Sequence, residues 1–185
     1  MRIIPCFVLT LAIGALMAPA HAADIQTGIH DMQWGSHASR HDHLTRVRES
    51  GPVSYYVNTN MIYSVAERSV PGVVYGFYKD QLFAVYIRLA APDQFYHMEK
   101  RFSAEYGEPE KTVARGGDMT VYRWKQNQVK IKLKLNEPEA EMKVGIYYVP
   151  LSAQLNEAQA EEAPEGVFSP APSETGKPVR STPLL

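Results

Sequence analysis

One segment between residues 128 and 135 constrains the possible folds of this chain more than any other. Apolar and basic residues alternate along it without interruption: Val129, Ile131, Leu133 and Leu135 on one side, and Lys130, Lys132 and Lys134 on the other. Successive side chains of a β-strand point to opposite faces, so the segment has one core face and one hydrated face. Because parallel sheets are covered on both faces, this pattern predicts an antiparallel sheet.

Several other segments have the composition or the alternation of β-strands. They are Val53–Val57, Met61–Ala66, Val73–Tyr78, Leu82–Leu89, Met119–Lys125 and a last strand with Met142, Val144, Ile146 and Tyr148 on its core side. A two-residue turn at Gln126-Asn127 would pair Trp124 with Val129 in a hairpin.

Two segments predict helices. In the segment 92–106, residues at spacings of three and four form an apolar stripe: Phe95, Met98, Phe102 and Tyr106. Pro92 suits the first helical position, and Gly107 suits the position just past the end. The polar run from Ser36 to about Glu49 also predicts a helix, although its apolar side is thin. These elements together predict an α+β fold in which an antiparallel sheet carries two helices on one face.

The first 22 residues have the three parts of a secretory signal peptide. Arg2 is basic, Ile3–Met17 is apolar, and Ala18–Ala22 ends in a small-x-small cleavage motif. Cleavage after Ala22 would leave 185 − 22 = 163 residues with a net charge of (19 − 1) − 20 = −2, and it would remove Cys6, the single cysteine. We therefore expect a periplasmic or secreted chain with no disulfide, no membrane span and no nucleic-acid partner.

Residues 23–149 are expected to form a single α+β domain. From about Pro150 the aliphatic periodicity stops, and Gln, Glu, Ala, Pro and Ser dominate the sequence. Such a composition buries too little apolar surface to offset the entropy of an ordered chain. Residues 150–185 are therefore predicted to be a disordered tail, partly helical at most near Leu155.

Three motifs between Met32 and Val149 resemble those of small exported α+β proteins of uncharacterised bacterial families. They are Trp34-Gly35-Ser36, the helix end Tyr106-Gly107-Glu108-Pro109, and the Trp124 hairpin with its lysine-alternating strand. The resemblance implies a domain distantly similar to the helix-plus-sheet modules of outer-membrane assembly lipoproteins and secreted β-lactamase inhibitor proteins, which act by binding proteins. It brings no catalytic residues, and the chain lacks the lipobox cysteine of the lipoproteins.

The hydrated face of the Trp124 hairpin is the first candidate binding surface. The side chains expected there are Arg123, Lys125, Lys130, Lys132, Lys134, Lys143 and Tyr147. An open face of this kind would attract an anionic partner, which is a protein, a glycan or an anionic envelope component. The alternative is a solvated face whose lysines discourage aggregation through sheet edges.

The second candidate surface consists of Tyr75, Phe77 and Tyr86. If Asp80-Gln81 is the turn between their strands, these residues lie on the face opposite Phe83, Val85 and Ile87. They then form either a second buried layer or an exposed aromatic patch of the kind that contacts proteins and glycans.

Four histidines suggest a different functional class, since His30, His37, His41 and His43 fall within fourteen residues. On the predicted helix His37 and His41 would share a face, and Asp31 and Asp42 could add oxygen ligands for Zn or Cu. The residue after His37 is Ala38, so the zincin motif is absent. The alternative is a polar helix surface on which His41 fills the thin apolar side.

The chain after residue 22 contains no Gly-x-Ser-x-Gly elbow, no phosphate-cradling glycine loop and no Ser-x-x-Lys. We therefore expect an exported, non-enzymatic binding or protein-interaction module without a cofactor. Its expected contact surfaces are the lysine-bearing sheet face and the Tyr75, Phe77 and Tyr86 patch. A periplasmic metal-binding protein that uses the His30–His43 cluster is the alternative.

Overall fold

The computed structural model describes residues 25–114, 116–155 and 180–183. The predicted signal peptide and residues 156–179 of the predicted tail lie outside the described residues. The strands are β1 (Gly28–Ile29), β2 (Met32–Gln33), β3 (Leu44–Ser50), β4 (Val53–Asn58), β5 (Met61–Val65), β6 (Arg68–Ser69), β7 (Gly72–Tyr78), β8 (Gln81–Leu89), β9 (Glu110–Val113), β10 (Met119–Gln126), β11 (Val129–Asn136), β12 (Glu141–Tyr148) and β13 (Arg180–Pro183). The helices are α1 (Pro92–Tyr106) and α2 (Val149–Ser152), and Ala38–Arg40 forms a 3₁₀ turn.

Eight of these strands form one sheet in the order β3-β4-β7-β8-β12-β11-β10-β9. Every pair of neighbours in it is antiparallel. The strands that precede α1 in the chain meet those that follow it where β8 pairs with β12. The two edge strands of the sheet are β3 and β9. The predicted antiparallel sheet is therefore confirmed, in a fold that consists mainly of strands.

Helix α1 packs on one face of this sheet through the apolar stripe that its sequence predicts. Phe95, Met98 and Phe102 are each no more than 2% exposed and belong to the main core between helix and sheet. The indole Nε1 of Trp124 donates a hydrogen bond of 2.9 Å to the carbonyl of Gly107, just past the end of the helix. This bond fixes the helix end to the β10–β11 hairpin.

The predicted helix from Ser36 to Glu49 is wrong. The segment instead contains the short 3₁₀ turn and the edge strand β3, so α1 is the one long helix among the described residues. The backbone before the turn pairs with the start of β8: the Gly35 N–H donates to the Leu82 carbonyl, and the Leu82 N–H donates to the Ser36 carbonyl, each over 2.9 Å. A polar segment with a thin apolar side has little helix packing to lose, so these sheet bonds decide its conformation.

A second apolar cluster lies on the sheet face opposite α1. It contains Val53, Tyr55, Val74, Tyr78, Phe83, Ala84, Tyr86, Tyr147 and Leu155, with Val57 and Leu151 packed against it. Ordered structure therefore continues beyond Pro150, where the tail was predicted to begin, because Leu151 and Leu155 find apolar surface there. Near the carboxyl terminus, β13 pairs in parallel with β5.

The β7–β8 hairpin departs from the predicted register. Its turn is Lys79-Asp80, and Phe77 pairs with Leu82 while Gly76 pairs with Ala84. Phe83 is therefore an extra residue in β8, a β-bulge. A Cβ atom at position 76 would lie 3.0 Å from the ring of Phe83, so the bulged ring occupies space that only glycine leaves open.

Because of the bulge, the aromatic residues of β7 and β8 do not share one face of the sheet. Tyr75 and Phe77 lie in the main core with Val85, whereas Tyr86 lies with Phe83 in the second cluster. The predicted common face of Tyr75, Phe77 and Tyr86 is therefore wrong. In the β10–β11 hairpin the turn is Asn127-Gln128, and Trp124 pairs with Ile131 in place of Val129. The observed partner of Trp124 is two residues from the predicted one, and side chains of a strand alternate between faces, so each side chain keeps its predicted face.

Gln94 in the first turn of α1 connects the helix to the β5–β6 hairpin. The residue is fully buried. Its Oε1 accepts a hydrogen bond of 2.7 Å from the Ala90 N–H, and its Nε2 donates to the carbonyls of Val65, Arg68 and Ser69 over 3.3, 3.0 and 3.3 Å. One buried side chain thus bonds to four backbone groups and joins the start of the helix to the β5–β6 hairpin.

Replacing Gln94 by Met keeps the length of the side chain but removes all of these hydrogen bonds. We expect Gln94→Met to lower the free energy of unfolding by about 2–3 kcal/mol, because it removes the hydrogen bonds that join the buried Gln94 side chain to the backbone of the β5–β6 hairpin and of Ala90. Urea denaturation of Gln94→Met and of the exposed helix control Lys100→Met measures the difference. Equal stability of the two variants would contradict this role.

Candidate functional site

The lysine-bearing face is the side of β9–β12 that points away from α1. Residues that pair directly across an antiparallel sheet share a face, and the register therefore gathers these side chains. Arg123 pairs with Lys132, Lys125 with Lys130, Lys130 with Tyr147, and Lys134 with Lys143, which in turn pairs with Arg88. The face thus holds Arg88, Arg123, Lys125, Lys130, Lys132, Lys134 and Lys143, in a chain whose net charge is −1.

This face is not beneath the long helix. Helix α1 packs on the opposite side, against residues such as Trp124 and Ile131. On its own side, the lysine-bearing face borders the second apolar cluster, to which Tyr147 belongs. The register therefore brings the predicted residues together on one face of the sheet, where Lys132 and Tyr147 are buried: Arg123, Lys130, Lys132, Lys134, Lys143 and Tyr147.

The cations of this face differ in their surroundings. Lys143 forms an ion pair of 3.0 Å with Glu141 on its own strand. The guanidinium of Arg123 donates a hydrogen bond of 2.7 Å to Thr112 Oγ1 on β9, and its cross-strand neighbour on β9 is Glu110. These contacts orient Arg123 and place an acidic side chain beside a cation at each of the two margins of the face.

Lys132 is the central residue of the lysine-bearing face and is only 2% exposed. Its neighbour across the sheet on β12 is Gly145, over which the Tyr147 ring lies: a Cβ atom at 145 would be 2.8 Å from ring carbon Cζ. The Lys132 Nζ lies 5.9 Å from the centroid of that ring. The sequence predicted the face on which Lys132 lies but not its burial. The sequence signals for that burial were Gly145, which lies opposite Lys132, and Tyr147, two residues after Gly145.

The environment of Lys132 lowers its pKa from 10.5 to about 7. Burial is the largest cause, followed by the charges of Lys130 and Lys134, a hydrogen bond with the Lys130 side chain and the charge of Arg123. Near neutral pH this amine is therefore divided between its neutral and protonated forms. Burial also raises the pKa of Tyr147, which keeps that phenol neutral over the same range.

The second predicted contact surface does not exist as an exposed patch. Tyr75 and Phe77 are fully buried, and Tyr86 is 2% exposed. The Tyr75 hydroxyl shares a hydrogen bond of 2.6 Å with the Tyr63 hydroxyl inside the main core. Of the two possibilities that the sequence left open, burial is the correct one, because Tyr75 and Phe77 lie in the main core on one face of the sheet and Tyr86 lies in the second cluster on the other.

The histidines do not share a helical face, since no helix forms there. His37 Nδ1 lies 3.1 Å from Asp80 Oδ2, and His41 Nε2 lies 3.0 Å from Ser36 Oγ. Burial, together with the charge of His43, lowers the pKa of His41. Among residues 25–114, 116–155 and 180–183, no group of three or more His, Cys, Asp or Glu side chains is placed to hold a metal ion.

Comparisons with known proteins give no further assignment. No protein-family model matches the chain, and neither a curated protein sequence nor a solved structure is detectably similar to it. Within the described part of the chain, no helix has the length and apolar character needed to cross a membrane.

The lowered pKa of Lys132 makes a prediction about stability. Between pH 7 and pH 10 the unfolded chain holds a proton on this amine that the folded chain has released, so stability rises with pH through this range. Below pH 7 both states are protonated and this contribution no longer changes. We expect Lys132→Met to remove the rise, whose slope cannot exceed about 1.4 kcal/mol per pH unit for one proton.

Urea denaturation at several pH values between 6 and 10 checks this prediction, with Lys125→Met as the exposed control on the same face. Identical pH profiles for the native protein and Lys132→Met would contradict the lowered pKa.

Proposed function

We propose that this chain is an exported, non-enzymatic binding module that contacts an anionic partner through the lysine-bearing face. One observation carries the proposal: the cations of β10–β12 and Arg88 of β8 share one sheet face that the long helix leaves uncovered. The signal-peptide pattern of residues 1–22 supports a periplasmic or secreted location, where glycans, envelope components and acidic protein surfaces are the available anions.

The arrangement of Lys132 favours a binding surface over a merely solvated one. A lysine that only prevents aggregation needs to be hydrated, as the exposed Lys125 is. Lys132 is instead buried among like charges, a placement that costs folding stability. Such costs are typical of functional sites, where a bound ligand offsets them.

Charge reversal on the lysine-bearing face tests this function. We expect the double variant Lys130→Glu/Lys134→Glu to elute from immobilised heparin, used as a polyanionic probe, at roughly half the salt concentration needed for the native chain. The matched control is Lys79→Glu/Lys100→Glu, which makes the same change of net charge at a hairpin turn and on α1. Equal elution of the two variants would show that only net charge matters and would overturn the proposal.

The export proposal has its own test. When the full chain is expressed in a bacterium with a secretion pathway, we expect the exported form to begin at Ala23. Replacing both Ala20 and Ala22 by Arg removes the small residues that signal peptidase requires, and we expect the precursor to accumulate. Intact-mass measurement of the periplasmic and cytoplasmic fractions distinguishes the forms, and an unprocessed native chain in the cytoplasm would contradict export.

A further inference from the structure

Strand β5 has a partner along each of its edges. In the three-stranded sheet the order is β13-β5-β6, so β5 is the central strand and β13 lies at the outside. The segment β13 runs parallel to β5, with Thr182 opposite Tyr63 and Pro183 opposite Ser64. On its other edge, β5 forms an antiparallel hairpin with β6. Without β13, one edge of β5 would therefore be open to another strand.

A hydrogen bond between Val70 and Tyr63 determines which backbone groups of β5 face β13. The Val70 N–H donates to the Tyr63 carbonyl over 2.9 Å, so the backbone groups of Tyr63 point toward the β6 side. Successive residues of a strand direct their N–H and C=O groups to opposite edges, so those of Ile62 and Ser64 point toward β13. In the parallel register, the N–H of Thr182 then faces the carbonyl of Ile62.

The sequence of β13 fits this arrangement. Pro183 has no N–H to donate, and because it follows Thr182, its nitrogen points away from β5. Proline is tolerated in an edge strand at such a position. Thr182 shares the face of the buried Tyr63 and is half-buried, whereas Pro183 is exposed. The β5 edge thus accepts an extended segment in which a β-branched polar residue faces the core and the next residue needs no donor.

Three features make β13 an occupant that can leave this edge. It contains four residues, whereas β8 contains nine. It belongs to the small sheet and not to the eight-stranded sheet. Arg180 follows Leu155 by 180 − 155 = 25 positions, which reach at most about 85 Å, whereas β8 is about 30 Å long. The segment can therefore reach β5 of its own chain, and it can leave while the main sheet stays paired.

We propose that the β5 edge is an acceptor site for an extended peptide strand of a partner protein, and that β13 is the intramolecular occupant that this strand displaces. Such strand addition uses backbone hydrogen bonds for affinity and alternate side chains for specificity. The partner strand runs parallel to β5 and places a β-branched residue opposite Tyr63. Because Tyr63 and Val65 belong to the main core on the α1 side, this site is separate from the lysine-bearing face and goes beyond the proposed function.

The covalent connection of β13 to the domain protects the edge until a partner arrives. An open strand edge pairs readily with other chains and promotes aggregation. A connected segment competes for its site at an effective concentration on the order of 1 mM, so β13 covers the edge of its own chain. A second copy of the chain at micromolar concentration cannot compete with it. A partner strand with a dissociation constant well below this effective concentration displaces β13.

A fluorescein-labelled peptide with the sequence of residues 177–185 tests the acceptor site, with fluorescence anisotropy as the measurement on the full chain. Thr182→Pro removes the N–H that faces Ile62, so β13 should leave and the peptide should bind at least about tenfold more tightly than to the native chain. Ser181→Pro is the matched control, because that N–H points away from β5, and it should keep the native affinity. Equal affinity for the native chain and Thr182→Pro, or binding to neither, would overturn the proposal.

Amide hydrogen exchange, resolved by residue with NMR, separates an open β5 edge from a general loss of folding. In Thr182→Pro the amides of Ile62 and Ser64 should exchange at least about tenfold faster than in the native chain. The Tyr63 amide points toward the β6 side and should keep its native rate. Unchanged exchange at Ile62 and Ser64 would show that β13 does not hold this edge. Faster exchange at all three amides would show that β13 is a permanent part of the hairpin, which also contradicts the proposal.

The state of association distinguishes an intramolecular occupant from a second copy of the chain. Light scattering over a wide range of concentrations should give the mass of one chain for the native protein. A dimer that Thr182→Pro abolishes and Ser181→Pro retains would show that β13 pairs with β5 of another copy, and it would overturn the intramolecular occupant. Failure of this inference leaves heparin binding by the lysine-bearing face unaffected, because that test changes residues on the opposite side of the main sheet.

Discussion

The pairing of β8 with β12 is the interaction on which the rest of the structure depends. It joins the strands before α1 to those after it, with Leu89 opposite Met142 and Ala84 opposite Tyr147. Because these strands are far apart in sequence, their contact closes a long loop. The entropy cost of that closure must be offset by the burial of apolar surface. Both faces provide it: Val85 and Ile146 lie in the main core, and Tyr86 and Tyr147 lie in the second cluster. The same pairing brings Arg88 beside Lys143 and extends the lysine-bearing face across four strands.

The sequence predicted the face of a strand residue correctly wherever an error in the position of the turn kept that residue on the same side of the sheet. The turn between β10 and β11 lies one residue later than predicted, which changes partners by two positions, so the faces of Trp124 and Lys132 were predicted correctly. In the β7–β8 hairpin the turn lies one residue earlier, which by itself would also preserve the faces, but the bulge at Phe83 moves Tyr75 to the other side from Tyr86. A bulge depends on how a ring packs over Gly76, which is a tertiary contact that alternation cannot reveal.

The amino-terminal region shows the limit of local signals. Ser36 is a good helix start in isolation, but the backbone of Gly35 and Ser36 bonds to Leu82, which is distant in sequence. The positions of the lysine-bearing face and of α1 were both predictable from regular spacing in the sequence. Apolar and basic residues alternate along β11, and apolar residues recur every three or four positions along α1. The lowered pKa of Lys132 was not predictable, because its largest cause is the burial of the side chain, which the alternation of residues along β11 does not reveal.

The stacking of Trp34 on Tyr148 has a consequence for synthesis. The two rings are nearly parallel, with centroids 6.1 Å apart, and they bring the segment around Trp34 against β12, the last strand of the eight-stranded sheet along the chain. The Trp34 indole also donates a hydrogen bond of 2.7 Å to the Ile25 carbonyl, which holds the segment before it in place. During synthesis, β8 therefore lacks its β12 partner and Trp34 lacks its ring partner until residue 148 has been added. The main sheet can be completed only after that point.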